Sequence, residues 1–198
     1  MTDRTAPADH SIPPLLASRW SPRAYEDRAP DDATLARVLE GARWAASCFN
    51  DQPWSFLVTR RGGDGHAAML GCLGAFNQAW AGRAPVLIIS FARKSFAHNG
   101  EPNRHAWYDV GQATANMALA AAAEGMQLHQ MAGFDAAAAR TAFQVPDTHD
   151  AVAAITMGWA GDPAILSESQ AAKEVAPRTR HAIGAFTHLG AWGGTGRV

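Results

Sequence analysis

Arginine, hydroxyl and amide side chains gather in three segments of this 198-residue chain. The first is Ser18-Arg19-Trp20-Ser21-Pro22-Arg23-Ala24-Tyr25. Guanidinium forks make paired, charge-assisted bonds to phosphate oxygens and serine adds a neutral donor, so this spacing suits phosphate binding. A solvated turn carries the same residues, and taken alone the segment favours the turn. The second is Ala46-Ser47-Cys48-Phe49-Asn50-Asp51-Gln52-Pro53-Trp54-Ser55-Phe56. Its amides both donate and accept, which suits the edge of a heteroaromatic ring; a helix end and its turn is the ordinary alternative. The third pairs Pro177-Arg178-Thr179-Arg180-His181 with Gly190-Ala191-Trp192-Gly193, a second basic site or a surface charge cluster.

Other chemistries find less support. Gly63-Asp64-Gly65-His66-Ala67-Ala68 is a loose dinucleotide fingerprint, but the acid expected about 20 residues on is absent. That region ends instead in Arg93 and Lys94, which could suit a 2′-phosphate, and a tight turn explains the glycines equally well. The eight histidines form no His-x-x-x-His pair, so no metal site is expected. No Gly-x-Ser-x-Gly elbow is present for a serine hydrolase. Cys48 as a nucleophile would need a partner base, and the sequence shows none.

Composition narrows the partners. The net charge of -1 leaves no broad basic field for nucleic acid or an anionic membrane, so any bound anion must be gripped locally. With 47% hydrophobic and 18% charged residues the chain is globular, and its length fits a single domain, residues 1–198, with residues 1–10 expected to fray. The apolar runs Pro85–Ala92 and Met117–Ala123 are far shorter than the roughly 20 residues that cross a bilayer. Two cysteines without metal or disulfide spacing, and no apolar stretch behind a basic start, lead to an expected cytoplasmic location.

The elements that must hold these residues follow from periodicity and breakers. A short helix is expected over Ser11–Ser18, with Pro13 and Pro14 in its first turn. An amphipathic helix is expected over Asp32–Ala46, where Leu35, Val38, Leu39 and Ala42 recur at helical spacing. Trp54–Arg60 reads as a strand, His66–Leu73 as a helix, Gln78–Gly82 as a short second helix and Pro85–Ala92 as a buried strand. Residues 93–106 read as a loop, Tyr108–Leu128 as the longest helix, Asp135–Phe143 as another, and Ala151–Trp159 as a third strand. The remainder reads as irregular, with a possible strand near Ile183–Phe186. Few strands among longer helices give an α+β, three-layer αβα domain.

Taken in order, the segments resemble the nitroreductase family. Its opening Arg-x-Ser-x-Arg/Lys-x-aromatic motif is matched by Arg19, Ser21, Arg23 and Tyr25. Its Asn-x-Gln-Pro-Trp-x-Phe is matched by Asn50, Gln52, Pro53, Trp54 and Phe56. Asn77 lies seven residues before Ala84-Pro85, Gly133-Phe134 follows the long helix, and Met157-Gly158-Trp159-Ala160-Gly161-Asp162-Pro163 resembles the turn after the last core strand. Pro177, Arg178, Arg180, Gly190, Trp192 and Gly193 match the closing Pro-Arg-x-Arg and Gly-x-Trp-Gly. The resemblance runs from about Leu15 to Gly193.

The resemblance implies a small mixed sheet flanked by helices, an intertwined homodimer, and FMN at the subunit interface. It also implies residue roles. Arg19, Ser21, Arg178 and Arg180 would hold the FMN phosphate and ribityl chain, with Trp20 among the cofactor contacts. Arg23 would lie near the N1/O2 edge of the flavin, where positive charge favours the reduced anionic ring. Asn77 would bond the pyrimidine edge. The backbone amides of Ala132 and Gly133 would face O4 and N5, with Gln130 and Met131 close by. Ser47, Cys48 and Asn50 would reach FMN from the partner subunit. The implied reaction is ping-pong: NADH or NADPH gives a hydride to flavin N5, then a nitroaromatic, quinone or activated alkene takes it. No side chain is required as acid or base, so no catalytic residue is named. Phe96, Trp107 and Tyr108 are candidate substrate-lid residues, with loop packing as the alternative. Two departures stand out: Ala46-Ser47-Cys48 replaces Pro-Ser-Ser, and Trp80 stands where some members have a lysine. Three rival readings stay open: other flavin chemistry on the same fold (dehydrogenation, dehalogenation or flavin breakdown), a non-catalytic FMN binder or redox sensor, and a single-domain NADP protein built on Gly63 and Gly65.

Overall fold

The structure, a computed structural model, describes residues 3–194. Residues 3–10 hold no regular element, yet they are tied down: Ala6 N donates to Ala17 O, and Arg178 donates to the carbonyl of Arg4. Helix α1 (Pro14–Ser18) is shorter than expected. Helix α2 (Asp32–Arg43) starts where the Asp31 carboxylate accepts from Thr34 N at 2.7 Å, an N-cap that satisfies an otherwise orphaned amide. Strand β1 (Trp54–Arg60) is followed by α3 (His66–Gly71), α4 (Ala75–Ala81) and β2 (Val86–Arg93).

The longest helix, α5 (Ala106–Ala123), ends five residues earlier than its apolar run suggests. Gly125 adopts a left-handed φ of 74°, Gly125 N bonds Ala122 O at 3.0 Å, and Met126 N bonds Ala121 O at 2.8 Å. This is a Schellman stop, which glycine makes without strain. The residues beyond it form a strand, β3 (Gln127–Met131), whose first two residues fall within the helix expected from the sequence. Helix α6 (Ala136–Ala142), β4 (His149–Gly158) and α7 (Glu168–Val175) complete the elements used below. Helix α7 lies in the part expected to be irregular, and Ser167 and Gln170 form a capping box at its start. The strand expected near Ile183–Phe186 is instead a 3₁₀ turn at Ile183–Ala185.

The sheet runs β1-β2-β4-β3, and all three pairings are antiparallel, where a mixed sheet was expected. Alternation along β2 builds the three layers. Val86 and Ile88 point to one face and bury against Val38, Ala113, Met117 and Ala121 of α2 and α5. Leu87, Ile89 and Phe91 point to the other and bury with Met69, Trp80 and Ala139 of α3, α4 and α6. The antiparallel β1–β2 pair also removes the dinucleotide reading of Gly63 and Gly65, because no parallel βαβ unit follows β1. No helix among the described residues is long and apolar enough to cross a membrane.

Helices α2 and α5 pack closely because Gly41 carries no side chain: a Cβ there would stand 2.6 Å from the Ala120 Cβ. Gly41→Val is expected to force the helices apart at a cost of about 1–3 kcal/mol, seen as a lower urea midpoint with an unchanged m-value.

Candidate functional site

Residues 18–23 are laced to β3, the edge strand. Trp20 N donates to Gln127 Oε1 at 2.9 Å, Gln127 Nε2 donates to Ser18 O at 3.4 Å, and His129 Nδ1–H donates to Pro22 O at 2.9 Å. This holds Arg19 beside the C-terminal segment. Arg19, Arg178 and Arg180 line one cavity of about 690 Å³ with Phe186, Ile183 and His181. Among the described residues, no carboxylate forms an ion pair with any of the three arginines. Burial and one another's charges lower the proton affinity of Arg19 and Arg178. Such a cluster is a local anion site without a broad basic surface.

The arginines are not equivalent. Arg178 donates to the carbonyls of Arg4, Ala17 (2.9 Å) and Arg19 (2.8 Å), so it stitches the N-terminal segment and the end of α1 to the C-terminal segment. Arg180 is exposed and, among the described residues, its side chain bonds only its neighbour, Thr179 O, at 2.7 Å. Ser21 is exposed at the same turn. Arg23 turns the other way. Its guanidinium stands 5.9 Å from the Trp80 ring centre and 3.8 Å from Glu174 Oε2, and its Nε is buried without a hydrogen-bond partner.

At the far end of β3, Asn77 and the 132–133 turn meet. Asn77 Nδ2 donates to Gly133 O at 2.9 Å, and a Cβ on Gly133 would stand 2.8 Å from that nitrogen. A side chain at 133 would therefore push the Asn77 amide away from this position. Gln130, Ala132 and Gly133 are exposed, while Met131 is a core residue. His129 lies between these two ends, its ring 4.7 Å from that of Trp80. Burial, aided by the positive charge of Arg23, pushes its pKa down to about 4 despite the bond to Pro22.

That shift gives a pH prediction. In the unfolded chain the imidazole charges near pH 6.5; in the fold it resists until about pH 4. Between those values the unfolded state binds more protons, so stability falls as the pH drops through this window, by about 2–3 kcal/mol in all. His129→Gln is expected to flatten that part of the urea-stability profile between pH 6.5 and 4. A parent and variant with parallel profiles would show that the imidazole is not buried in its neutral form.

Ser47, Cys48 and Asn50 form a separate group. Phe49, Asn50 and Gln52 all have left-handed φ values, 54°, 54° and 48°. Conformations of this kind in non-glycine residues persist only when the surroundings impose them. The surroundings here are two buried carboxylates. Asp109, in the first turn of α5, accepts from Cys48 N at 3.1 Å. Asp51 accepts from Arg93 at 2.8 Å, Ala97 N at 2.8 Å and Asn103 at 3.3 Å. Burial opposes the charge on Asp51, but these bonds prevail and hold its carboxyl below the usual range. Of the lid candidates, Phe96 packs with Phe49 and His98 beside this loop. Trp107 and Tyr108 project, well exposed, from the start of α5. One chain does not bring this group to the arginines. The loop sits at the start of α5 and Gln127 lies beyond its end, roughly 20 Å away along the helix.

The sequence reading missed Gln127, His129, Glu174, Asp51 and Asp109 as positioning residues. Asp51 lies inside the Asn50-x-Gln52-Pro53 motif, Gln127 falls within the expected helix, and His129 follows just after it in a strand the sequence does not announce.

The Nitroreductase family model matches residues 16–71 and 67–159. The chain belongs to the nitroreductase family. An uncharacterized 15.4 kDa protein of Mycolicibacterium smegmatis is 34% identical over 149 residues, covering 70% of this chain and 97% of that protein. A 46-residue stretch, 23% of this chain and 26% of the relative, is 39% identical to an Archaeoglobus fulgidus protein provisionally named NADH dehydrogenase/NAD(P)H nitroreductase. A solved structure described as an oxidoreductase containing FMN superposes with a TM-score of 0.91 at 27% identity, covering 98% of this chain and 100% of that one. This nitroreductase-family chain is thus similar in fold to an FMN-containing oxidoreductase over nearly its whole length.

Proposed function

We propose that this chain works as a homodimeric, FMN-dependent oxidoreductase that takes a hydride from NADH or NADPH. The observation that carries the reading is the cluster of Arg19, Arg178 and Arg180, without a carboxylate partner among the described residues, at one end of β3, with Asn77 and the Gly133 turn at the other. A five-residue strand spans about 13 Å between its end residues, a separation suited to a ligand with a phosphate at one end and a ring at the other. The buried, unpartnered Arg23 Nε between them is a donor still seeking an acceptor. The residues present fit FMN.

In this reading Arg19, Ser21 and Arg180 grip the phosphate and ribityl chain beside Trp20, and Arg178 holds the peptide segments that carry them. Asn77 and the amides of Ala132 and Gly133 orient the ring, with Gln130 and the Met131 backbone beside them. When bound, FMN supplies hydride transfer at its N5, accepting from NAD(P)H and donating to a nitroaromatic, quinone or activated alkene. Arg23 places positive charge by the ring, and no side chain of this chain moves a proton.

Two features support the dimer. Ser47, Cys48 and Asn50 cannot join the arginines within one chain, so a site that uses both groups takes them from two. Trp44, Phe49, Tyr108, Phe186 and Trp192 are large and well exposed, and in this reading a partner chain covers part of that apolar surface. Phe96, Trp107 and Tyr108 then stand where the acceptor would enter. Two free cysteines suit a reducing compartment, the cytoplasm.

The test is the visible spectrum of the purified protein, identification of the released chromophore, and NADH or NADPH oxidation with a quinone. About one FMN per chain with sustained turnover supports the proposal. Colourless protein that takes up no added FMN overturns it, and FMN held without turnover leaves a binder rather than an enzyme.

A further inference from the structure

Glu174 is buried, with 2% of its surface exposed, and it lies on α7, beyond the residues that the family model matches. It nevertheless reaches the family's first motif. Glu174 Oε1 accepts from Arg23 N at 2.7 Å and Ala24 N at 3.0 Å, and Oε2 stands 3.8 Å from Arg23 Nη1 with no hydrogen-bond partner of its own. One carboxylate therefore does two things. It fixes the backbone from which Arg23 projects, and it sets a negative charge against the Arg23 guanidinium. That guanidinium also stands 5.9 Å from the Trp80 ring centre, and Trp80 in turn packs on the His129 ring. Trp80 stands at the position where some family members carry lysine, Arg23 lies against its ring, and Glu174 is the carboxylate that offsets the Arg23 charge.

We propose that Glu174 is a positioning residue that sets the reduction potential of the bound cofactor through Arg23. The inference rests on FMN occupying the site as proposed above. Positive charge beside the ring favours the reduced, anionic form; a carboxylate against that charge weakens the preference and keeps the bound flavin a stronger reductant. The carboxylate also holds Arg23 still, so the two effects separate by substitution. Glu174→Gln keeps an oxygen for the two amides and removes the charge. Glu174→Asp keeps the charge and shortens the reach.

The experiment measures the potential of bound FMN, by equilibration with a reference dye, in the parent, Glu174→Gln, Arg23→Gln and the double variant. Glu174→Gln is expected to raise the ratio of reduced to oxidised bound flavin about tenfold, a shift of about 30 mV for a two-electron couple. The same change in the Arg23→Gln background is expected to move the ratio less than threefold. An unchanged potential in FMN-loaded Glu174→Gln overturns the proposal, as does an equal shift in both backgrounds, which would mean that Glu174 acts on the flavin directly. Should Glu174→Gln fail to fold, Glu174→Asp decides. A reduced-to-oxidised ratio within threefold of the parent with faster FMN loss supports the proposal; a tenfold rise in that ratio overturns it. Failure of the parent itself to bind FMN is a different outcome, because it removes the cofactor reading before Glu174 is tested.

Discussion

Arg19→Ala combined with Arg180→Ala is expected to strip FMN from the protein during desalting. Both side chains line the same cavity, and neither is paired with a carboxylate among the described residues. Their charge is therefore available to a ligand. A charge-assisted bond contributes about 1.5–3 kcal/mol, so losing two weakens binding by about 3–6 kcal/mol, roughly 10²- to 10⁴-fold in Kd. Arg178→Ala gives the internal contrast. That guanidinium is bonded to three backbone carbonyls, and removing it leaves them without their donor. Arg178→Ala should lower the melting temperature of the apoprotein and FMN retention together, whereas Arg180→Ala should lower retention alone. Titration of each apoprotein with FMN, followed by flavin fluorescence and paired with a thermal melt, makes the comparison. Unchanged FMN affinity in the Arg19/Arg180 double variant would put the phosphate elsewhere.

Residues that bury apolar surface at a regular period were legible in the sequence, and residues that act through a single polar bond were not. Val86 to Phe91 is a β-branched and aromatic run, and it forms the central strand β2. Leu35, Val38, Leu39 and Ala42 mark the inner face of α2. By contrast, Gln127-Leu128-His129-Gln130-Met131 has no β-branched residue and follows an alanine-rich helix directly, so β3 carried no strand signature of its own. Its nature depends on the stop at Gly125 and on pairing with β4, a contact distant in sequence. Helix α7 did carry a signal, the Ser167-x-x-Gln170 box, ahead of a segment with only two buried side chains. Those two, Gln170 and Glu174, are polar, so the usual rule that helices bury apolar stripes points away from the role they have. The arginines were found as a set, through motif order. That Arg178 is bonded to backbone carbonyls across the N-terminal segment while Arg180 is exposed needed coordinates, because it depends on which carbonyls lie within reach of each guanidinium.

The separation of the two half-sites along α5 leads to the second large effect. Asp51→Ala removes the buried carboxylate that Arg93, Ala97 N and Asn103 share. Breaking a fully buried ion pair by deleting one partner costs about 3–5 kcal/mol; Arg93 is 29% exposed, so the cost here is smaller, but it falls on a loop already holding Phe49, Asn50 and Gln52 in left-handed conformations. The loop should relax and withdraw Ser47, Cys48 and Asn50 from any neighbour they serve. Homodimers of Asp51→Ala and homodimers of Arg19→Ala/Arg180→Ala should therefore both lose FMN. Mixed dimers, assembled from differently tagged subunits and purified through both tags, should bind again, at about one FMN per dimer. In a shared site, one of the two pockets then draws its arginines and its loop from the unaltered halves, while the other carries both defects. If each chain built its own site, every pocket in the mixed dimer would carry one defect and FMN would stay absent. A stoichiometry near zero would refute the shared site even if the parent protein is dimeric, and it would leave the left-handed loop as a local device of its own subunit.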